Sequence, residues 1–124
     1  MKVMDDMRFP DAERLLPLPS VTFHILMALS GGDRHGYAII REVAARTENR
    51  LVLGAGTLYR SLERMLGQGL IEESGDRPAP ELDDERRRYY RIAPFGEAVA
   101  RAEARRLTEL VRMARASGFA RGKA

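Results

Sequence analysis

The sequence predicts a mainly α-helical fold in which three short helices are followed by a two-stranded hairpin and a long final helix. Three observations carry this. Residues 54–75, GAGTLYRSLERMLGQGLIEESG, set apolar residues at helical spacing between glycines and run directly into a β-prone piece. A second β-prone piece, RYYRI at 88–92, follows a polar loop, GDRPAPELDDERR, that contains two prolines. From Pro94, the run PFGEAVARAEARRLTELVRMARAS keeps helical periodicity until Gly118.

Each element can be justified in order. Residues 1–19 hold three prolines and weak periodicity, and read as an arm with a helical turn near 11–16. Ser20 is the expected N-cap of the first helix, VTFHILMALS, which stops at Gly31-Gly32. Its face is expected to be Phe23, Leu26, Met27 and Ser30, widened by Ile25 and Leu29. His24 reads as a core-edge histidine, since no partner motif accompanies it. Asp33 is the expected cap of the second helix, HGYAIIREVAARTE, with Ile39 or Ile40, Val43, Ala44 and Thr47 facing inward. In the connection RLVLGAG, Leu51 and Leu53 should plug into the core. The third helix starts with Gly56 or Thr57 as cap. It carries Leu58, Leu62, Met65 and Leu66 as its core stripe and ends in a left-handed cap at Gly67 or Gly69. Strands are expected at Leu70–Ser74 and Arg88–Ile92. Pro94 suits the first turn of the last helix, whose stripe is Val99, Glu103, Leu107, Leu110, Val111 and Ala114, with Glu97 and Arg101 at i,i+4. At 1.5 Å per residue this helix spans about 36 Å, more than a small domain needs, so part of it should pack on something else.

Composition bounds the function. The chain has 124 residues and an apolar fraction of 44%, which suits one globular domain of modest core. It has no cysteine and two histidines, which leaves neither a disulfide framework nor a thiolate or histidine metal cluster. No apolar run is long enough for a membrane span, and acids stand near the N-terminus where a signal peptide would be apolar, so a cytoplasmic location is the expectation. The net charge is +3, with residues 1–53, 54–92 and 93–124 carrying 0, −1 and +4. Such a balance permits nucleic-acid binding without demanding it. No Ser-His-Asp order, metal spacing or paired catalytic carboxylates appear, and GAGT is too short for a phosphate-loop fingerprint, so an enzyme is not expected.

Two short helices joined by a few residues and followed by a hairpin make a winged helix-turn-helix, here with a two-stranded wing and a long C-terminal helix, the dimerisation helix of the resemblance given below. The expected organisation is an arm at 1–19, a DNA-binding domain at 20–93, a dimerisation helix at 94–118 and a flexible tail at 119–124. The polar face of the third helix shows Thr57, Arg60, Ser61 and Arg64. Arginines one turn apart on such a helix suit phosphates or guanine edges in a major groove, which admits one α-helix. A solvated face with Glu63 and Arg60 balancing is the alternative. Tyr59 either packs inward or sends its hydroxyl to a phosphate, and Thr57 either caps or offers donors to an anion. In the hairpin, Arg86, Arg87 and Arg88 alternate faces, so at most two of them point one way. The preceding acids, Asp83, Asp84 and Glu85 among them, either neutralise these arginines, hold the wing tip away from DNA, hold a cation or stay solvated.

The segments HGYAIIREV, GAGTLYRSLERMLGQGLIEES and RRRYYRIAPFGEAV together resemble the PadR family of bacterial transcriptional regulators. The likeness covers about residues 20–100. It rests on a Gly-Tyr pair opening helix two, a G-T-L-Y-x-x-L-x-R-L-x-x-x-G-L-I pattern through helix three, and an aromatic strand before a helix that starts near a glycine. The resemblance implies double-stranded DNA as a partner, with Tyr37, Thr57, Tyr59, Arg60 and Arg64 facing it and Arg87, Arg88 and Tyr89 in the wing. Within that frame, Arg60 and Ser61 are the expected base readers. The resemblance also implies a homodimer built on the last helix through Val99, Leu107, Leu110, Val111 and Ala114. No cofactor is implied. Arg60 stands where the family often has proline, and Ile92-Ala93-Pro94-Phe95-Gly96 replaces the commoner Leu-Thr-x-x-Gly. Some relatives bind flat hydrophobic effectors between subunits. This chain has no Trp and only Phe95 and Phe119 near its last helix, so the sequence does not identify a small-molecule effector. A winged-helix module for protein partners is the rival reading, favoured by the acidic wing tip.

Overall fold

The computed structural model describes residues 8–75 and 87–121. A 3-10 turn, Ala12–Leu15, precedes α1 (Ser20–Leu29), β1 (Arg34–His35), α2 (Gly36–Arg46), α3 (Ala55–Gln68), β2 (Ile71–Ser74), β3 (Tyr89–Ile92) and α4 (Pro94–Ala116). The strands form an antiparallel sheet ordered β1-β3-β2. The fold is a winged helix-turn-helix with one more strand than the hairpin expected from sequence. Segment β1 has only two residues, too few for a period-two pattern to show. It pairs Arg34 with Tyr90 and His35 with Tyr89, which makes β3 the central strand.

The core forms where α1, α2, α3 and the first turns of α4 meet. Ile25, Leu26, Leu29, Ile39, Leu58, Leu62, Met65, Leu70 and Val99 are fully buried. Burying each such side chain contributes about 1.5–3 kcal/mol. Leu53 seals the α2–α3 connection from within, with Leu51 packed against the same core. The connection turns on Glu48 (φ 54°) and Asn49 (φ 65°), both left-handed. Thr47 latches it, since its hydroxyl donates to Val43 O at 2.9 Å and accepts the Leu51 N–H at 3.1 Å.

Several local expectations are corrected. The cap of α1 is Pro19, not Ser20, and its carbonyl accepts the Phe23 N–H at 3.1 Å. The buried face of α1 is Thr22, Ile25, Leu26 and Leu29, with Ala28 beside it. Phe23 and Met27 are half-buried and Ser30 is exposed. A helix apolar on nearly every side does not reveal its inner face by periodicity. Helix α2 is capped by His35, whose Nδ1 accepts the Ala38 N–H at 3.2 Å, while Asp33 accepts the Ser74 hydroxyl. Helix α3 starts earlier than expected, on Gly54, and it ends on Gly69 at φ 77°.

The described part of the N-terminal segment packs on the protein. Ala12 and Leu18 are buried, and Phe9 meets Phe95 edge-on with ring centroids 5.5 Å apart. Glu103 of α4 is buried against this segment and forms a two-point ion pair with Arg106 at 2.7 and 2.8 Å. The Arg106 hydrogen bonds hold the Glu103 carboxyl below its ordinary range against the opposing effect of burial, and the Leu18 backbone assists. A depressed carboxyl contributes stability above its unfolded pKa, and that stability is lost as pH falls through the folded value. Val99 is wholly buried in the protomer core and is therefore withdrawn as a dimerisation residue. It sits in the half of α4 that faces α1, where helical spacing alone cannot separate an internal stripe from an external one. Beyond Glu103, Leu107 and Ala114 are half-buried, while Leu110, Val111 and Met113 are exposed. Arg86 and the acids Asp83, Asp84 and Glu85 lie outside the described residues.

Candidate functional site

Helix α3 has one buried stripe and one exposed face. Leu58, Ser61, Leu62 and Met65 are buried, following i, i+3, i+4 and i+7. Thr57, Tyr59, Arg60 and Arg64 are exposed. Ser61 is only 7% exposed, so it does not project with Arg60 and Arg64 as expected. Its place at i+3 from Leu58 puts it on the inner stripe, and its small hydroxyl side chain fits there. Thr57 lies in the first turn of α3, where free backbone N–H groups and the helix dipole favour an anion.

Arg60 and Arg64 form no ion pair with a carboxylate among the described residues. Several arginines elsewhere are engaged. Arg46 pairs with Glu42 at 2.7 Å, Arg34 with Glu42 at 3.5 Å, and Arg112 with Glu109. Both guanidinium groups of the exposed face of α3 are therefore open to an outside acceptor, with Glu63 exposed on the same helix but not in ion-pair contact with either.

The start of α2 packs closely on α3. A Cβ on Gly36 would overlap the Tyr59 hydroxyl and stand 2.7 Å from its ring carbon Cζ. Glycine at 36 thus lets the Tyr59 ring lie across the opening of α2. Tyr37 is exposed next to it. Tyr37, Tyr59, His35, Tyr90, Arg87 and Arg88 line a cleft of about 560 Å³ between the helices and the hairpin. Burial and the nearby Glu73 carboxylate push the Tyr90 phenol up, so it stays protonated.

The hairpin residues behave differently from one another. Arg87 approaches His35, with Nη1 3.2 Å from Nε2. A neutral imidazole accepts at only one nitrogen, and here that is Nδ1, so this is a close approach and not a second accepted bond. Arg88 pairs with Glu73 at 3.5 Å and Arg91 with Glu72 at 3.6 Å. Carboxylates of β2 therefore temper the charge of the wing. Tyr89 is only 7% exposed and meets His35 edge-on at 5.3 Å. It is corrected from a wing-surface residue to a packing residue, because its strand is central and β1 covers it.

Sequence reasoning missed β1, the Gly36–Tyr59 contact and the Arg41 guanidinium, which stacks on the Tyr37 ring at 5.0 Å. The last carried a signal: an arginine four residues after a tyrosine on a helix. None of the helices among the described residues is long and apolar enough to cross a membrane.

Comparison with known proteins agrees with this geometry. The model of the transcriptional regulator PadR-like family matches residues 25–102. A protein of Lysinibacillus sphaericus, described only as uncharacterized, is 36% identical over 75 residues, which cover 60% of this chain and 65% of that relative. The match thus spans just under two thirds of the relative's length. A solved transcriptional regulator from Clostridium thermocellum is similar at 28% identity and a TM-score of 0.65, over 82% of this chain and 90% of that one. A PadR family transcription regulator from Clostridium difficile shares the fold at 22% identity and a TM-score of 0.64, over 78% of this chain and 96% of its own.

Proposed function

The chain belongs to the transcriptional regulator PadR-like family, and we propose that it is a homodimeric DNA-binding repressor that reads a two-fold operator. Helix α3 enters the major groove and the hairpin lies along the backbone. The observation that carries this reading is the exposed pair Arg60 and Arg64, one turn apart and without carboxylate partners among the described residues. Arg60 is the base reader, since its guanidinium can bond guanine O6 and N7 together. Arg64, Thr57 and the Tyr59 hydroxyl hold phosphates and set the register. Arg87 and Arg88 contribute from the wing, Arg88 less so because Glu73 holds it.

The dimer forms through the outer half of α4. Leu107, Leu110, Val111, Met113 and Ala114 supply an apolar surface that begins after the last buried residue of the helix, Glu103. From there to Ala116 the helix extends about 20 Å. Two such faces packed together bring two copies of α3 to successive major grooves, about 34–36 Å apart.

The test is retention of a labelled duplex taken from the region upstream of the protein's own gene, set against a shuffled duplex of the same composition. The expected result is binding at least about 10³-fold tighter to the first. Equal retention of both would remove sequence-specific reading. No retention of either at low salt would favour a winged-helix module that binds proteins.

A further inference from the structure

Helix α2 carries an exposed arginine outside the recognition helix. Arg41 is exposed, one turn after Tyr37 on the outer side of α2, and its guanidinium carbon lies 5.0 Å from the Tyr37 ring centroid. The next residue, Glu42, is held by Arg46 and Arg34, and Arg41 makes no ion pair among the described residues. An arginine stacked on an aromatic face uses the plane of its guanidinium and leaves the N–H edge open to an acceptor. Tyr37 lines the same cleft as Tyr59, whose ring lies against Gly36. Tyr37 and Tyr59 thus stand in one cleft, with the exposed Arg41 beside the first and the exposed Arg60 next in sequence to the second.

We propose that Arg41 binds a backbone phosphate of duplex DNA and that Tyr37 acts as a positioning residue, holding the guanidinium edge outward. The proposal rests on the DNA-binding reading and deepens it: the footprint reaches beyond α3 to the second turn of α2. Stacking lowers the freedom that Arg41 would otherwise lose on contact, which is why an exposed tyrosine stands four residues before it.

The test uses the full chain and a labelled random-sequence duplex of about 30 base pairs, long enough to exceed one footprint, with affinity followed across salt. Arg41→Ala should flatten the slope of log K against log salt by about 0.9, and Arg41→Lys should restore it. Tyr37→Leu should lose about three-fold with the slope kept, the scale of an exposed cation–π contact, and Tyr37→Phe, which keeps the aromatic face, should recover most of that loss. In an Arg41→Ala background, Tyr37→Leu should cost nothing further. Thermal unfolding checks that each variant is folded. An unchanged slope in a folded Arg41→Ala variant, with the parent binding normally, overturns this inference alone. So does an equal cost of Tyr37→Leu with and without Arg41. Absence of salt-dependent binding by the parent overturns the DNA-binding reading and this inference with it.

Discussion

Replacing Leu110 and Val111 together by glutamate is expected to give a folded monomer whose affinity for a two-fold operator falls by about 10²-fold or more. Both side chains are already exposed on the protomer, at 44% and 43%, so the change removes little internal packing. In a dimer the same positions would be covered. Burying a carboxylate there without a partner costs several kcal/mol, and there would be two on each protomer. The monomer would keep its recognition surface and still bind a half-site weakly, because the linked second half-site is what supplies the avidity. Sedimentation and binding to full and half operators would read this directly. A dimeric mass for the double variant would move the interface away from this face. Val99→Glu is the informative contrast. It places a charge in the protomer core and should abolish folding, not association.

The second large effect concerns Gly96. A Cβ there would overlap the Leu70 carbonyl oxygen, approach the Leu70 carbonyl carbon to 2.9 Å and the Ile92 side chain to 3.1 Å. The Leu70 carbonyl is not free to retreat, because it accepts the Ala93 N–H at 3.0 Å and so ties the end of α3 to the entry of α4. Gly96→Ala should therefore destabilise by about 2–3 kcal/mol, the range of overpacking against atoms that cannot move. For a chain of this size that lowers the thermal midpoint by about 10 °C. Gly69→Ala provides the scale. Gly69 is left-handed at φ 77°, yet its nearest contact, with Phe95, would be an ordinary 3.9 Å. Only the conformational cost remains, about 1 kcal/mol. If Gly96→Ala unfolds with the parent, the close approach of α4 to the sheet is not as described.

The elements most legible in the sequence were those built on long, one-sided patterns. Helix α3 announces itself through Leu58, Leu62 and Met65 with polar residues between them, and Gly69 ends it as a left-handed cap should. The hairpin strands and the long last helix follow from equally plain periodicity. Three kinds of feature did not show. Segment β1 is two residues long and exists only because β3 lies beside it. Ser61 and Tyr89 look like surface residues by type, but position governs: Ser61 is one turn along from Leu58, and Tyr89 belongs to a central strand. Val99 and Leu110 share a stripe on paper, yet the first faces α1 and the second lies beyond the domain. Which part of a long helix is internal depends on where the rest of the chain ends, and that is tertiary information.

The candidate site shows the same division. Thr57, Arg60 and Arg64 are exposed as their spacing implies, while Tyr59, for which spacing left two readings, is exposed with its ring against Gly36. Whether an exposed arginine is already neutralised depends on acids distant in sequence, as with Arg88 and Glu73, and spacing is silent on that.

The central claim is that the exposed arginines of α3 meet DNA. The slope of log affinity against log salt tests it most directly, measured for the parent and for the Arg60→Ala, Arg64→Ala double variant. If both guanidinium groups displace ions from the duplex, the slope should flatten by about 2, with affinity falling across the whole salt range. A folded double variant with the parent's slope and affinity would contradict the account.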